Sequence, residues 1–117
     1  MKKARDKVSE PFKELMGKAV ARDILVAEVH AWARRIGVAE RIKEIHVRQM
    51  KRKWASISTR GRLTLNIDLF AKPSTFRQEV IVHELVHLKL NHGAHNKLFK
   101  ALIRAYMFDQ KTIASGW

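Results

Sequence analysis

The spacing of apolar residues changes twice along this chain, and these changes limit the folds that it can adopt. From Arg22 to Ile36 apolar side chains recur every three or four residues, as on one face of an α-helix. Between residues 43 and 67 they alternate with polar side chains, which is typical of strands. After Pro73 the helical spacing returns. The pattern therefore predicts an α+β fold, with helices on both sides of a small sheet.

The strands are predicted near residues 43–49, 53–59 and 62–67, and we expect them to form a small antiparallel sheet of about three strands. Arg60-Gly61 lies between the last two strands, where a glycine permits the positive φ of a tight hairpin. Helices are predicted over residues 1–20, over 22–36, from Ser74 or Thr75 to about Asn91, and over 96–108. Because of Pro11, we expect either a break in the first helix or a helix start near Ser9 and Glu10.

The 117 residues contain no repeat or linker that would separate two domains. We predict a single domain, residues 1–117. Its parts are a helical N-terminal part (1–40), the β-sheet (43–67), two metal-binding helices (75–108) and a flexible tail (109–117).

Composition restricts both the chemistry and the location of the chain. It has no cysteine, which excludes disulfides, thiolate metal sites and thiol catalysis, so that any metal must be bound by His, Asp or Glu. No apolar run is long enough to cross a bilayer, and no apolar signal segment follows the charged N-terminus. We expect a soluble, cytoplasmic protein with no membrane partner.

The sequence His83-Glu84-Leu85-Val86-His87 carries the clearest chemical signal. Two histidines four residues apart lie on one face of a helix, where both imidazoles can reach one ion. Glu84 lies beside them and can act as the general base that takes a proton from a water activated by the metal. Because the surrounding residues are apolar almost all round, the two histidines would be buried and would need partners.

A catalytic zinc site needs a third ligand, and two candidates follow His87 within eight residues, His92 and His95. Asp109 is the only acidic residue after Glu84, which excludes a downstream glutamate as the third ligand. We prefer His95, because the chain can reverse at Gly93 and bring it back over the metal. The predicted zinc ligands are therefore His83, His87 and His95, with Glu84 as the catalytic residue. The remaining histidines, His30 and His46, are predicted to be surface or packing residues.

The segments Glu79–Lys89 and Lys97–Ile103 resemble the YgjP-like metallopeptidases, which are related to the SprT and WLM groups. The resemblance extends to Lys53–Ser58 and to Leu63–Asn66, which look like the family's Trp-Gly-Ser-Cys strand and its Leu-Asn hairpin partner. It thus covers about residues 43–106. Ala55 and Ile57 replace the family's Gly and Cys.

The histidine spacing departs from the family's pattern, in which the third histidine comes ten residues after the first. His92 comes one residue early and His95 two residues late. Alignment on Lys97 favours His95, and Gly93-Ala94-His95-Asn96 is similar to a stretch of the WLM group.

The resemblance implies a zincin-like fold and a soluble Zn2+-dependent endopeptidase that acts on a protein or peptide substrate lying along an edge strand. The enzyme would hydrolyse the peptide bond with Glu84 as base. Apart from the resemblance, the segment Lys111–Trp117 is small and polar and ends on an aromatic residue and a carboxylate, and the enzyme would be latent if this tail occupied its own cleft. The alternatives are a basic nucleic-acid-binding module with a non-catalytic metal site, or a DNA-associated protease of the SprT type.

The excess of basic residues suggests a possible second partner. Lys and Arg number 24 against 11 acidic residues, a net charge of +13. Several of these cations cluster near Trp54, which is a pattern that nucleic acids or acidic peptides can bind. They are Arg48, Lys51, Arg52, Lys53, Arg60 and Arg62.

Overall fold

The computed structural model describes the backbone of residues 10–91 and 93–115, and the side chains of residues 11, 14–91 and 93–108. Within these ranges the helices are α1 (Glu10–Ile36), α2 (Ser74–Leu90) and α3 (Lys97–Ser115), and the strands are β1 (Glu44–Arg48), β2 (Ala55–Ile57) and β3 (Arg62–Asn66). Short 3-10 helices, Ala39–Arg41 and Ile67–Ala71, follow α1 and β3. The predicted α+β class is confirmed.

Helix α1 is one continuous helix rather than two. Pro11 lies in its first turn, where the missing N–H costs no hydrogen bond and the fixed φ suits a helix start. Residues 1–9, over which the N-terminal helix was predicted to begin, lie outside the described part of the chain. At its other end α1 ends before Gly37, whose φ of 89° is the left-handed conformation that terminates a helix.

The sheet is mixed, and the prediction of an antiparallel sheet was wrong for one of its two pairings. The strand order is β1-β3-β2, with β1 parallel to β3 and β2 antiparallel to β3. An all-antiparallel sheet of three strands would require each strand to pair with an antiparallel neighbour. Instead, the chain leaves β1, crosses the end of β3 and forms β2 on the far edge.

Asn66, the last residue of β3, holds this crossing segment in place. Its side-chain Nδ2 donates to the carbonyl oxygens of Met50 (2.9 Å) and Lys53 (3.0 Å), and its Oδ1 accepts from the N–H of Asp68 (3.0 Å). Its backbone N–H donates to Trp54 O at 2.9 Å. Because Asn66 is only 5% exposed, these bonds replace those that water would otherwise supply.

The predicted hairpin turn at Arg60-Gly61 is present between β2 and β3. Gly61 has a φ of 95°, and its N–H donates to Ser58 O at 3.0 Å. A Cβ at this position would clash with the carbonyl oxygen of Arg41, so the turn also packs too closely to accept a side chain.

The hydrophobic core lies between the sheet and helices α1 and α2, and the first turn of α3 closes it with Phe99. Helix α2 contributes on several sides, as its nearly uniform apolar sequence predicts. The fully buried side chains of this core include Leu25, Val29, Ile36, Leu63, Leu65, Ile81, Val82, Leu85 and Val86.

Helix α3 continues through Ser115, seven residues beyond the predicted end at Phe108. No glycine or proline interrupts residues 109–115, so the helix has no local stop signal before Gly116. The predicted tail is therefore helical up to Ser115, and Gly116 and Trp117 lie outside the described residues.

Candidate metal and active site

The three histidines predicted as ligands come together at one end of helix α2. His83 and His87 occupy successive turns of that helix, and the helix ends at Asn91, whose φ of 60° reverses the chain. The chain then returns past the helix before α3 begins at Lys97, and this return brings His95 over the other two rings. His92, the alternative third ligand, lies outside the described residues.

The ring nitrogens of the three histidines face one another. His87 Nε2 lies 3.3 Å from His83 Nε2 and 3.0 Å from His95 Nε2. One ligand nitrogen from each residue lies within 4.8 Å of the others. Four ligands placed at the usual zinc–nitrogen distance around a tetrahedral ion would be about 3.3 Å apart, which is close to the two separations measured from His87 Nε2.

Hydrogen bonding alone does not account for this arrangement. A neutral imidazole nitrogen carries either one proton or one lone pair, so His87 Nε2 cannot form good hydrogen bonds to both neighbours at once. A cation between the three rings would use all three lone pairs. The donor set therefore fits a metal ion, and Zn2+ accepts such neutral imidazole ligands.

The environment favours the neutral, metal-binding form of His83. Burial lowers the pKa of His83 below its ordinary value, and the nearby His87 and His95 lower it further because a second positive charge there is unfavourable. His83 and His87 are partly buried, whereas His95 is exposed on the returning segment.

Phe99 forms the floor of the histidine cluster. Its ring centroid lies 5.0 Å from that of His83, 4.4 Å from His87 and 4.8 Å from His95, and the residue is 3% exposed. Phe99 lies in the helix predicted over residues 96–108, but its contact with the histidines was not predicted. Its closeness to His95 in the sequence is the signal that could have indicated the contact; His95 lies before the start of the helix at Lys97, so the four-residue helical spacing does not apply to this pair.

Glu84 lies in the cleft beside the histidines. This cleft, with a volume of about 520 Å³, runs between α2 and β2 and is lined by His83, Glu84, His87 and His95 on one side and by residues 55–59 on the other. Burial raises the pKa of Glu84 to about 6, while the positive charge of Lys53 acts in the opposite direction. A carboxylate that is partly desolvated in this way is a stronger proton acceptor than an exposed one.

The other predicted candidates lie outside this cluster. His30 is exposed on α1, and His46 is exposed on β1, where its Nε2 lies 2.7 Å from Glu44 Oε1. Both agree with the prediction of surface residues. The basic residues predicted near Trp54 are all exposed, and Lys53 among them lines the cleft.

None of the helices in the described part of the chain combines the length and apolar character that crossing a bilayer requires.

Two solved structures of metallopeptidase zymogens share this fold. Abylysin of Pyrococcus abyssi has 17% sequence identity and a TM-score of 0.61, and the match covers 78% of this chain and 94% of abylysin. Jannalysin of Methanocaldococcus jannaschii has 27% identity and a TM-score of 0.64, with 70% and 80% covered. No match was found among curated proteins.

The family model described as "YgjP-like, metallopeptidase domain" matches residues 2–115. This match and the histidine cluster together support Zn2+ as the cofactor. The chain belongs to the YgjP-like metallopeptidase family and is a peptide-bond hydrolase.

Proposed function

We propose that the protein is a zinc-dependent endopeptidase in which His83, His87 and His95 bind the metal and Glu84 is the catalytic base. The observation that carries the proposal is the meeting of three imidazole nitrogens within 4.8 Å of one another beside a partly buried carboxylate. All three ligands would be neutral nitrogens, and no cysteine is present to close the fourth position. An open position of this kind is typical of catalytic rather than structural zinc.

The bound metal would supply a Lewis acid that polarises the substrate carbonyl and makes water a nucleophile near neutral pH. The proton transfers would be carried out by the protein's own residues. Glu84 accepts a proton from the attacking water and then transfers it to the leaving amine. Its partial burial keeps the carboxylate poorly solvated, so that little water must be displaced before the proton moves.

The open edge of β2 offers a place for the substrate backbone. Ser58 N donates to Arg62 O at 3.0 Å and Asn66 N donates to Trp54 O at 2.9 Å, so residues 54 and 58 pair with β3. Hydrogen bonding alternates along an antiparallel strand, which turns the N–H and C=O groups of Ala55 and Ile57 away from β3, and both residues line the cleft. An extended peptide can add to this edge as a further strand.

Cavities on both sides of His83 and Glu84 favour cleavage at a bond inside a substrate chain. The main cleft extends from His83 and Glu84 toward the C-terminal ends of α2 and β2, and a second cavity extends toward their N-terminal ends. A substrate can therefore continue in both directions beyond the scissile bond. This arrangement suits an endopeptidase better than an enzyme that removes terminal residues.

The deciding experiment replaces Glu84 by glutamine and measures zinc content and cleavage of an unstructured protein in the same preparation. We expect stoichiometric zinc to be retained and cleavage to fall by at least about 100-fold, the contribution of a general base. Glu40→Gln, an exposed replacement of the same kind, should change neither. Wild-type protein that binds zinc but cuts nothing, even after removal of residues 111–117, would contradict the proposal.

Latency is a separate part of this proposal. The two similar structures are described as zymogens. The enzyme would be latent if the C-terminal end of the chain occupied the cleft, and active without processing if it did not. Faster cleavage after removal of residues 111–117, with zinc content unchanged, would favour latency.

Nucleic-acid contact and a cytoplasmic location both remain predictions. The net charge of +13 and the exposed cations near Trp54 are compatible with phosphate contacts. If such contacts form, the affinity for DNA should fall steeply and linearly on a logarithmic plot as salt rises. A flat salt dependence, or no binding at low salt, would remove this partner.

A further inference from the structure

Lys53 lies at the junction of the two cavities that meet beside the catalytic groups. It lines both the main cleft and the second cavity, and it shares this position with His83, Glu84 and Ala55. Of these three neighbours, His83 is a proposed metal ligand and Glu84 is the proposed base. Lys53 is therefore placed beside the bond to be cut, although the proposed proton transfer does not use it.

The positive charge at this junction comes from one side chain. Although the chain has a net charge of +13, Lys53 is the only lysine or arginine among the described residues that line either cavity. Its sequence neighbours Lys51 and Arg52 are exposed and line neither cavity. The position of Lys53 thus differs from that of the cations beside it in the sequence.

The backbone that carries the Lys53 side chain is held by hydrogen bonds and packing. The carbonyl oxygen of Lys53 accepts from Asn66 Nδ2 at 3.0 Å, and the carbonyl oxygen of Trp54 accepts from Asn66 N at 2.9 Å. The ring of Trp54 packs edge to face against Phe76, with their centroids 5.5 Å apart. Because these contacts fix the backbone, the four-carbon stem of Lys53 starts from a fixed point beside the cleft.

The ammonium group of Lys53 is not neutralised by an ion pair with any described residue. Its charge nevertheless acts at the reaction centre. Burial raises the pKa of Glu84 to about 6, and the charge of Lys53 opposes this effect. A cation that is near the catalytic groups but not bound to a carboxylate can pair with a negative charge that forms during the reaction.

Peptide hydrolysis forms such a charge. When the water oxygen bonds to the carbonyl carbon, Glu84 takes a proton from the water and becomes neutral, and one electron pair of the C=O bond moves to the carbonyl oxygen. The negative charge thus moves from Glu84 to the substrate. When the C–N bond breaks, the pair on oxygen re-forms the double bond, and the amine nitrogen keeps the C–N pair and takes the proton from Glu84. A positive group aimed at the carbonyl oxygen lowers the barrier between these steps.

The other proton donors of the described residues are less well placed for this oxygen. Tyr106, the only tyrosine of the chain, packs against the hydrophobic core and lines neither cavity. The remaining uncharged side-chain donors of the main cleft do not extend to the junction with the second cavity. They are Ser56, Ser58, Thr59 and Asn91.

We propose that the Lys53 ammonium is a catalytic group that stabilises the negative charge formed on the carbonyl oxygen of the scissile bond. The proposal rests on the proposed peptidase function and adds a residue to its mechanism. In the sequence, Lys53 belongs to the run of cations near Trp54 that nucleic acids can bind. Its place at the junction of the cavities gives it the reacting peptide as a partner instead.

Replacement of Lys53 by methionine, which has a similar length and no charge, tests this role. We expect kcat of zinc-loaded Lys53→Met to fall by about 100-fold or more, as when a donor to the oxyanion is removed, with KM nearly unchanged. Lys53→Arg keeps the charge and should be at least about 10-fold faster than Lys53→Met. Lys43→Met, a change of an exposed lysine that lines neither cavity, should leave kcat unchanged.

The rates are compared on the plateau at high pH, where Glu84 is ionised in every variant. A defect that disappears on this plateau would show that Lys53 acts only through the protonation of Glu84, and it would overturn the proposal. Zinc content and helical circular dichroism verify that each variant is folded. If Lys53→Met does not fold, Lys53→Gln replaces it with the same expected loss.

Calorimetric binding of two peptides provides a readout that does not depend on cleavage. A phosphinic peptide carries an anionic tetrahedral group in place of the scissile bond and resembles the charged intermediate. Lys53→Met should weaken its binding by about the same factor as kcat/KM falls. An uncut peptide should bind equally well to Glu84→Gln with and without Lys53→Met, because its carbonyl oxygen carries no full charge.

The outcomes separate this proposal from the proposed function. An unchanged kcat in Lys53→Met on the plateau, or equal weakening of both peptides, would overturn the role of Lys53 although the peptidase would stand. A wild type that cuts neither peptides nor an unstructured protein would remove the proposed function and this proposal with it.

Discussion

The ring of Phe99 packs against the imidazole of His87 with their centroids 4.4 Å apart, and the two rings are tilted by 35°. The N–H of Phe99 donates to the side-chain Oδ1 of Asn96 at 2.9 Å, which caps the start of α3. The same helical turn therefore orients Phe99 under the cluster and fixes the end of the segment that carries His95. Phe99 therefore both supports the metal site and closes the hydrophobic core.

Replacing Phe99 should therefore weaken the metal site as well as the fold. We expect Phe99→Leu, which keeps most of the apolar volume, to reduce zinc affinity by roughly 10- to 100-fold, as is usual when residues that orient metal ligands are changed. Competition titrations with a zinc chelator measure this. Leu102→Ala on the same helix, which is partly buried and outside the cluster, is the control. Equal zinc affinities in wild type and Phe99→Leu would show that the ring does not orient the ligands.

Asn66 should be important for stability because its amide bridges the crossing segment. Asn66→Asp replaces the donating Nδ2 by a carboxylate oxygen facing the carbonyls of Met50 and Lys53. We expect a loss of about 1–3 kcal/mol in the free energy of unfolding, the usual cost of leaving buried polar groups unsatisfied. Denaturant titration measures it. Gln49→Ala, which removes an exposed bond to Asp68, should cost much less; equal effects of the two changes would contradict this role of Asn66.

The ion pair between Glu28 and Arg77 joins α1 to α2. Arg77 Nη2 and Nε donate to the two carboxylate oxygens at 2.7 and 3.1 Å, and the side chains are only 26% and 16% exposed. A double-mutant cycle with Glu28→Gln and Arg77→Met should give a coupling of about 1–3 kcal/mol, because the pair is bidentate and partly desolvated. The exposed pair of Glu44 and Arg62, 3.4 Å apart, is the matched control and should show much weaker coupling. Similar couplings for both pairs would refute the argument from burial.

The raised pKa of Glu84 predicts a pH-dependent stability for the metal-free protein. Burial raises this pKa from 4.5 to about 6, so the folded state disfavours the charged form. The free-energy cost of burying the charged Glu84 carboxylate is absent well below its pKa in the unfolded chain. This cost grows as pH rises from 4.5 and is complete above about 6.

Metal-free Glu84→Gln stays neutral at every pH, so it should be more stable than the metal-free wild type by about 1–2 kcal/mol near pH 7.5 and equally stable near pH 4. Urea unfolding in the presence of a chelator at both pH values measures the difference. His83 titrates in both proteins, and its effect cancels in the comparison. A stability difference that is the same at both pH values would contradict the assigned cause.

The elements and the histidine cluster could be predicted because their signals are local. Periodicity over α1 and α2, a glycine at the Arg60-Gly61 turn and the four-residue spacing of His83 and His87 each reflect neighbouring residues. The parallel pairing of β1 with β3 could not be predicted, because it depends on hydrogen bonds from Asn66 to a segment that precedes it by more than ten residues.

The second cavity was not predicted for a similar reason. Trp54 lies in a loop and Phe76 in a helix, and the two meet only in the folded chain. In the sequence alone, neither residue can be distinguished from an ordinary packing residue. The continuation of α3 to Ser115 was missed because an apolar stripe ended near Phe108, although the helix itself had no stop signal there.

X-ray absorption spectra of the zinc-loaded wild type and of two variants, His95→Ala and His92→Ala, count the histidines bound to the metal. We expect three imidazole nitrogens and one oxygen at about 2.0–2.1 Å from zinc in the wild type and in His92→Ala, but only two imidazoles in His95→Ala. Three imidazoles retained in His95→Ala, or a wild type that holds no stoichiometric zinc, would contradict the proposed zinc ligands.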